Sequence, residues 1–107
     1  GDRRANQISG GGGADTLTGA GGNDKLAGGS GADLITDTRG ENDLLGGAGR
    51  DTLRAGGGRD LLDGGAGADR LVAGRGADLV QGGGGVDVIQ AGAGADRIGG
   101  GAGDDVI

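Results

Sequence analysis

Residues 64–81 read GGAGADRLV followed by AGRGADLVQ, two copies of one nine-residue pattern joined end to end. Followed outward in the same frame, the pattern fills eleven consecutive windows from Gly10 to Ile107, the last of which is one residue short. A degenerate twelfth window, GDRRANQIS, occupies residues 1–9, and no insertion breaks the frame. Self-similarity at a fixed period is typical of a solenoid, in which each unit buries its apolar face against its neighbours. We therefore expect residues 1–107 to form a single repeat array.

Each repeat, with its positions numbered one to nine, combines a glycine-rich half with one acid and one aliphatic residue. Position four is Gly in all eleven windows from Gly10 onward, and position six is Asp in ten repeats and Asn in two. Because glycine reaches positive φ without strain, we expect the first six positions to form a turn. We expect the last three to form a short strand whose position-eight side chain points inward. The position-eight residues, all predicted to be core, are Ile8, Leu17, Leu26, Ile35, Leu44, Leu53, Leu62, Leu71, Val80, Ile89, Ile98 and Ile107.

Two such units make one flattened coil of turn, strand, opposite turn and opposite strand, so twelve repeats give about six coils. The fold class expected from this pattern is all-β, with two parallel sheets facing each other across a thin aliphatic layer. That layer is small beside the entropy lost on ordering a chain with 33 glycines in 107 residues. Stacking also brings the position-six aspartates together, where like charges repel. We therefore expect the metal-free chain to be disordered.

The composition excludes several classes of function. The chain has no Pro, Cys, His, Met or aromatic residue, and its net charge is −6. A period of nine without proline excludes a collagen triple helix, and without cysteine there are no disulfides. The ten basic residues are scattered over five repeat positions and no aromatic side chain is present for stacking, so we expect no nucleic-acid partner. No apolar run is long enough for a membrane span.

With two repeats per coil, the position-six residues form one column at each edge of the stack. The even column is Asp15, Asp33, Asp51, Asp69, Asp87 and Asp105; the odd column is Asn6, Asp24, Asn42, Asp60, Asp78 and Asp96. Each slot, meaning the space between two successive turns of a column, offers two position-six side chains and several backbone carbonyls. An all-oxygen environment suits a hard cation, and flexible coordination by about six to eight oxygens favours Ca²⁺ over Mg²⁺.

The repeats GGAGADRLV, GGSGADLIT and GGGGVDVIQ closely resemble the pattern G-G-x-G-x-D-x-U-x of RTX (repeats-in-toxin) proteins, a calcium-binding β-helix repeat. The resemblance implies a right-handed parallel β-roll with Ca²⁺ held between turns two repeats apart. It also implies that each turn contributes backbone carbonyls from its glycine-rich part and the position-six carboxylate. Further implications are secretion by a type I exporter, an extracellular location and folding delayed until the chain meets extracellular calcium.

Carried over to this chain, the resemblance predicts ten calcium slots at most, of which seven have an aspartate on both sides. The predicted carboxylate ligands are Asp15, Asp24, Asp33, Asp51, Asp60, Asp69, Asp78, Asp87, Asp96 and Asp105, with weaker sites at Asn6 and Asn42. The predicted carbonyl ligands are those of Gly10, Gly12, Gly13, Gly28, Ser30, Gly31, Gly46, Ala48, Gly49, Gly64, Ala66, Gly67, Gly82, Gly84 and Gly85. Repeat 37–45 departs most from the pattern within the array, and we expect Glu41 and Asp43 to compensate partly for Asn42.

The sequence predicts no enzymatic activity, because it has no His or Cys, and Ser9 and Ser30 have no base partner nearby. The main function expected is a calcium-dependent folding and secretion module. A spacer or adhesive segment of a large surface protein would share the fold, and a designed roll is a third reading, against which the irregular repeat 37–45 argues. A disordered linker would not keep an aliphatic residue at every ninth place, and aspartates that only form turns would not need this register.

The array begins and ends in repeat frame, so we expect a fragment of a larger protein. Its expected partners are calcium ions, neighbouring domains of that protein, and other copies of the chain stacked end to end through open strand edges.

Overall fold

The computed structural model describes residues 4–107, and these residues form twelve strands and no helix. Six strands make one parallel sheet: β1 (Gln7–Gly12), β3 (Lys25–Ser30), β5 (Asp43–Ala48), β8 (Leu61–Ala66), β10 (Leu79–Gly84) and β12 (Arg97–Ala102). The second sheet contains β2 (Thr16–Thr18), β4 (Leu34–Thr36), β6 (Thr52–Arg54), β9 (Arg70–Gly76) and β11 (Val88–Ala93), with the short β7 (Gly57–Gly58) beside β9. The described part of the chain has no helix of the length and hydrophobicity that a membrane crossing requires.

Every strand pairs with the strand one coil further along, at a spacing of eighteen residues. Leu26 lies opposite Leu44, and Leu44 lies opposite Leu62; in the other sheet Leu53 lies opposite Leu71. This register confirms two nine-residue repeats per coil and an all-β parallel solenoid. The solenoid has about five full turns, close to the predicted six. The Cα atoms span 37 × 34 × 12 Å, and the shortest dimension matches two facing sheets.

The predicted boundary between turn and strand is wrong in most repeats. In the first sheet each strand continues from position seven through position three of the next repeat, so that Gly47 pairs with Gly65 as regularly as Leu44 pairs with Leu62. Glycine at positions two and four has positive φ in most coils, for example 96° at Gly65 and 129° at Gly67. These two positions bend the chain without interrupting pairing between coils, and the turn narrows to the residues around positions four to six.

The core is the single layer of position-eight side chains, except at the ends of the stack. Nine of the twelve predicted core residues, from Leu17 to Ile89, are buried, and Ile8 is partly buried against them. Ile98 and Ile107 are 38% and 67% exposed, because no further coil covers them. The sequence analysis also missed that position one points inward, where Ala55 and Ala73 join the core. The first repeat is described only from Arg4 onward, so its Arg3 lies outside the described residues.

Candidate metal centre

The position-six residues form two continuous ladders along the edges of the roll. The backbone N–H of each one donates to Oδ1 of the position-six side chain one coil further on: Asp51 N–H donates to Asp69 Oδ1 at 2.8 Å, and Asp60 N–H to Asp78 Oδ1 at 2.9 Å. The same bond recurs in all ten slots. The structure therefore places the ten predicted aspartates and two asparagines in the two columns, and one carboxylate oxygen of every aspartate except Asp15 accepts a backbone hydrogen bond.

The second carboxylate oxygen, Oδ2, is buried and has no donor. Most of these aspartates are almost completely buried, with exposed fractions of 0% at Asp87 and 3% at Asp33. Buried Oδ2 atoms without any hydrogen-bond partner occur at Asp15, Asp24, Asp33, Asp37, Asp51, Asp60, Asp69, Asp78 and Asp87. An unpaired carboxylate oxygen is among the most costly groups to bury, so each of these atoms requires a proton or a cation.

Asn42 shows what surrounds that oxygen. Its Oδ1 accepts the column hydrogen bond from Asp24 N–H, and its Nδ2 donates to the carbonyl oxygens of Arg39 at 3.1 Å and Gly40 at 3.5 Å. Asn6 donates in the same way to the Arg4 carbonyl at 2.7 Å. The carbonyls at positions three and four thus converge on the place that Oδ2 takes in an aspartate repeat. Where an aspartate oxygen faces these carbonyl oxygens, a cation is needed to offset their negative charge. An asparagine needs no cation, because its amide N–H donates to the carbonyls.

In the even column the position-six carboxylate packs directly against the glycine at position one, where a side chain would not fit. A Cβ added to Gly64 would lie 2.6 Å from Asp69 Oδ2 and 2.6 Å from the Gly82 carbonyl oxygen of the next coil. The same crowding recurs at Gly10, Gly28, Gly46 and Gly82, none of which has positive φ. Glycine is therefore required at these positions for space and not for backbone conformation. The polar atoms nearest to these glycines are carboxylate and carbonyl oxygens, which are the ligands that a hard cation such as Ca²⁺ prefers.

The backbone carbonyls predicted as ligands fall into three groups. Position-one carbonyls such as that of Gly82 border the space beside the preceding Asp Oδ2. Position-three carbonyls already accept a bond between coils, as Ala66 does from Gly49 N–H at 2.8 Å, and keep one lone pair. Position-four carbonyls, such as that of Gly49, point at the Cα of the next coil, where a side chain on Gly67 would collide with them.

Burial dominates the electrostatics of both columns. It raises the pKa of Asp60 in the odd column and of Asp69 in the even column to about 6, and the neighbouring carboxylates Asp78 and Asp51 add to the increase. It also raises the pKa of Asp51. Hydrogen bonds donated by the backbone act in the opposite direction in each case but are weaker. The folded chain without metal therefore holds Asp51, Asp60 and Asp69 in an environment that opposes their charge.

Repeat 37–45 contains a carboxylate that the motif does not predict. Asp37, at position one, is 1% exposed, and burial together with the neighbouring Asp24 raises its pKa to about 6. Glu41 and Asp43, expected to compensate partly for Asn42, are both exposed. The sequence contained one signal that could have identified Asp37. Position one follows position eight of the preceding repeat by two residues, so both side chains lie on the inner face. Between residues 4 and 107 no three acidic side chains form a metal-binding cluster.

Comparison with known families agrees with this geometry. A family model described as the RTX calcium-binding nonapeptide repeat matches in four copies, over residues 1–35, 36–71, 45–80 and 72–107. Together the matches span the whole chain and include every position-six residue. Comparison with curated proteins and with solved structures gave no match.

Proposed function

The chain belongs to the RTX calcium-binding nonapeptide repeat family, and from this premise we propose that it is a module that folds on binding extracellular Ca²⁺. RTX repeats are calcium-binding modules of type I secreted proteins. We propose further that this array remains unfolded during export and folds outside the cell, which supports the folding of the protein that carries it.

The contrast between aspartate and asparagine turns carries this proposal. Where position six is Asn42, the amide donates to the turn carbonyls and no polar atom of that side chain needs an ion. Where it is an aspartate such as Asp69, Oδ2 is buried and has no donor. A Ca²⁺ bound in the slot supplies positive charge to the paired carboxylates and the carbonyls. The residues that would hold it are the two position-six aspartates and the carbonyls at positions one, three and four.

Folding and binding are coupled because both depend on the same groups. Without a cation, each column stacks buried carboxylates on one another, and the aliphatic layer is only one side chain thick. An interior residue such as Asp69 borders two slots, so ordering one turn prepares the next and binding should be cooperative. Affinity suited to an extracellular module is about 10⁻⁴–10⁻³ M. We propose seven strong sites, five in the even column and two in the odd column, between aspartate pairs.

Circular dichroism tests the proposal directly. In calcium-free buffer the chain should give a coil spectrum, and millimolar CaCl₂ should produce a steep transition to a β spectrum that a chelator reverses. MgCl₂ at the same ionic strength is the matched control and should not produce it, because Mg²⁺ prefers a tight octahedron and retains its waters. A well-formed β spectrum in excess chelator at neutral pH would contradict the proposal.

A further inference from the structure

Repeat 37–45 lacks the position-six carboxylate, and its first position is an acid where the neighbouring odd repeats have a small residue. Among the described odd-column repeats, position one is Gly19, Asp37, Ala55, Ala73 and Ala91. Asp37 is directed inward and is 1% exposed. Its Oδ1 accepts a long bond of 3.4 Å from Arg39 N–H, and its Oδ2 has no partner. The repeat that loses a carboxylate at position six thus gains a buried one at position one.

The Asp37 carboxylate meets the carboxylate of Asp24 in a hollow at Gly19. A Cβ on Gly19 would overlap the Asp37 carboxylate and lie 2.6 Å from Asp24 Oδ2. Gly19 has no positive φ, so space, not backbone conformation, requires a glycine there. The alanine found at position one in the three following odd repeats would block this approach. The Asp37 side chain can therefore take this position only because residue 19, one coil earlier, is a glycine.

The hollow belongs to the slot between Asp24 and Asn42. Asp24 Oδ1 is bonded to the backbone N–H of Asn6 at 2.6 Å, which leaves Asp24 Oδ2 as the oxygen directed at Asp37. The Gly22 carbonyl points from the same turn towards Gly40 of the next coil. Asn42 does not fill the hollow, because its Nδ2 is bonded to carbonyls of its own turn. This slot therefore contains two buried carboxylate oxygens and one carbonyl oxygen, and none of these groups is a hydrogen-bond donor.

We propose that Asp37 is a calcium ligand, which replaces the missing position-six carboxylate and makes the Asp24–Asn42 slot a full two-carboxylate site. This inference rests on the proposed function, since it adds an eighth strong site to seven of the family type. The ion bound at this site is a divalent cation that prefers oxygen ligands. The site departs from the repeat pattern because its second carboxylate comes from position one.

The test counts bound calcium. Equilibrium dialysis with radioactive calcium at pH 7.5 compares the wild-type chain with Asp37→Asn, which keeps the size of the side chain and removes its charge. Asp43→Asn is the matched control, because it removes an exposed charge from the same repeat. We expect Asp37→Asn to bind one ion fewer than the wild type and Asp43→Asn to bind the same number. Equal counts for Asp37→Asn and wild type would mean that Asp24 and Asp37 share only a proton, and would overturn the inference.

A second variant keeps the inference testable if Asp37→Asn does not fold. Asp37→Gly combined with Asn42→Asp restores the family pattern and gives both slots beside residue 42 two carboxylates. If Asp37 is a ligand, this double variant binds one ion more than the wild type; two more ions would show that Asp37 contributed none and would overturn the inference. A wild-type chain that binds no calcium would instead refute the proposed function, so the two failures are distinguishable.

Discussion

The two edges of the roll are built from one nine-residue pattern, yet they differ at the two positions that line the slots. In the even column position six is always Asp and position one is always Gly, from Gly10 to Gly100. In the odd column position six includes Asn6 and Asn42, and position one of the described repeats is Gly19, Asp37 or an alanine. On the even edge each position-one glycine lies against the position-six carboxylate of its own repeat, where a Cβ would collide, whereas position one on the odd edge is an alanine in most described repeats. We infer that the residue at position one, which the motif presents as part of the turn, limits how closely the position-six carboxylate can pack against the backbone.

The largest expected difference between the edges comes from removing one interior carboxylate. Asp69→Asn should weaken two even slots while keeping the shape of the side chain, since Asn42 shows that an amide fits at position six. A site at ten times its Kd contributes about 1.4 kcal/mol, so losing both should cost about 3 kcal/mol of calcium-dependent stability. Thermal unfolding in saturating CaCl₂ measures this loss.

The odd-column control for this variant is Asp24→Asn. Asp24 lies between Asn6 and Asn42, so no slot beside it has two position-six carboxylates, and we expect about half the effect. Equal losses for Asp69→Asn and Asp24→Asn would contradict the assignment of slots to columns.

A smaller difference should follow from adding one methyl group. Gly64→Ala would place Cβ 2.6 Å from both Asp69 Oδ2 and the Gly82 carbonyl oxygen, and overpacking of this kind costs about 2 kcal/mol. Gly57→Ala, at the odd edge, is the matched control, because its Cβ would meet nothing within 4 Å and its φ is not positive. The calcium midpoint of the β transition should rise for Gly64→Ala only. Similar midpoints for both variants would show that position one does not limit the even slots.

Proton binding should affect both edges in the same direction, with the smallest effect. The folded pKa of Asp60 and Asp69 is about 6, above the ordinary value of 3.8, so the metal-free folded state binds more protons than the unfolded chain between these values. Proton binding by Asp60 and Asp69 therefore stabilises the metal-free folded state. This stabilisation is fully present below about pH 3.8 and is lost as the pH rises through about 6. In calcium-free buffer, circular dichroism should therefore show more β structure at pH 5 than at pH 7.5.

With calcium the order should reverse, because the ion requires ionised carboxylates. The calcium concentration at the midpoint of the β transition should be higher at pH 5 than at pH 7.5. A midpoint that does not change with pH would indicate that the buried carboxylates are not the ligands.

The sequence predicted those features that the repeat period determines. A period of nine with an aliphatic residue at position eight led to the pairing of Leu44 with Leu62, and hence to two columns of position-six residues. The length of the strands could not be predicted in this way. Glycine at positions one to three is typical of a turn by composition, but in the stack Gly47 and Gly65 pair as strand residues because the neighbouring coils supply their hydrogen bonds.

The role of Asp37 was also beyond the sequence analysis. It required knowing that position one faces inward and that Gly19, eighteen residues earlier, leaves a hollow at the right place. Glu41 and Asp43, next to Asn42 in sequence, were the expected replacements, and both are exposed. Under the proposal for Asp37, the replacement for the missing ligand is chosen by position in the stack and not by adjacency to Asn42 in the sequence.

The central claim is that divalent ions between the coils hold the roll together, and a crystal structure determined in excess calcium tests it most directly. Anomalous scattering at a wavelength sensitive to calcium would locate the ions. We expect a metal peak in each even slot, at about 2.3–2.6 Å from carboxylate and carbonyl oxygens of the two turns. Even slots that contain only water, in a roll that remains folded, would contradict it.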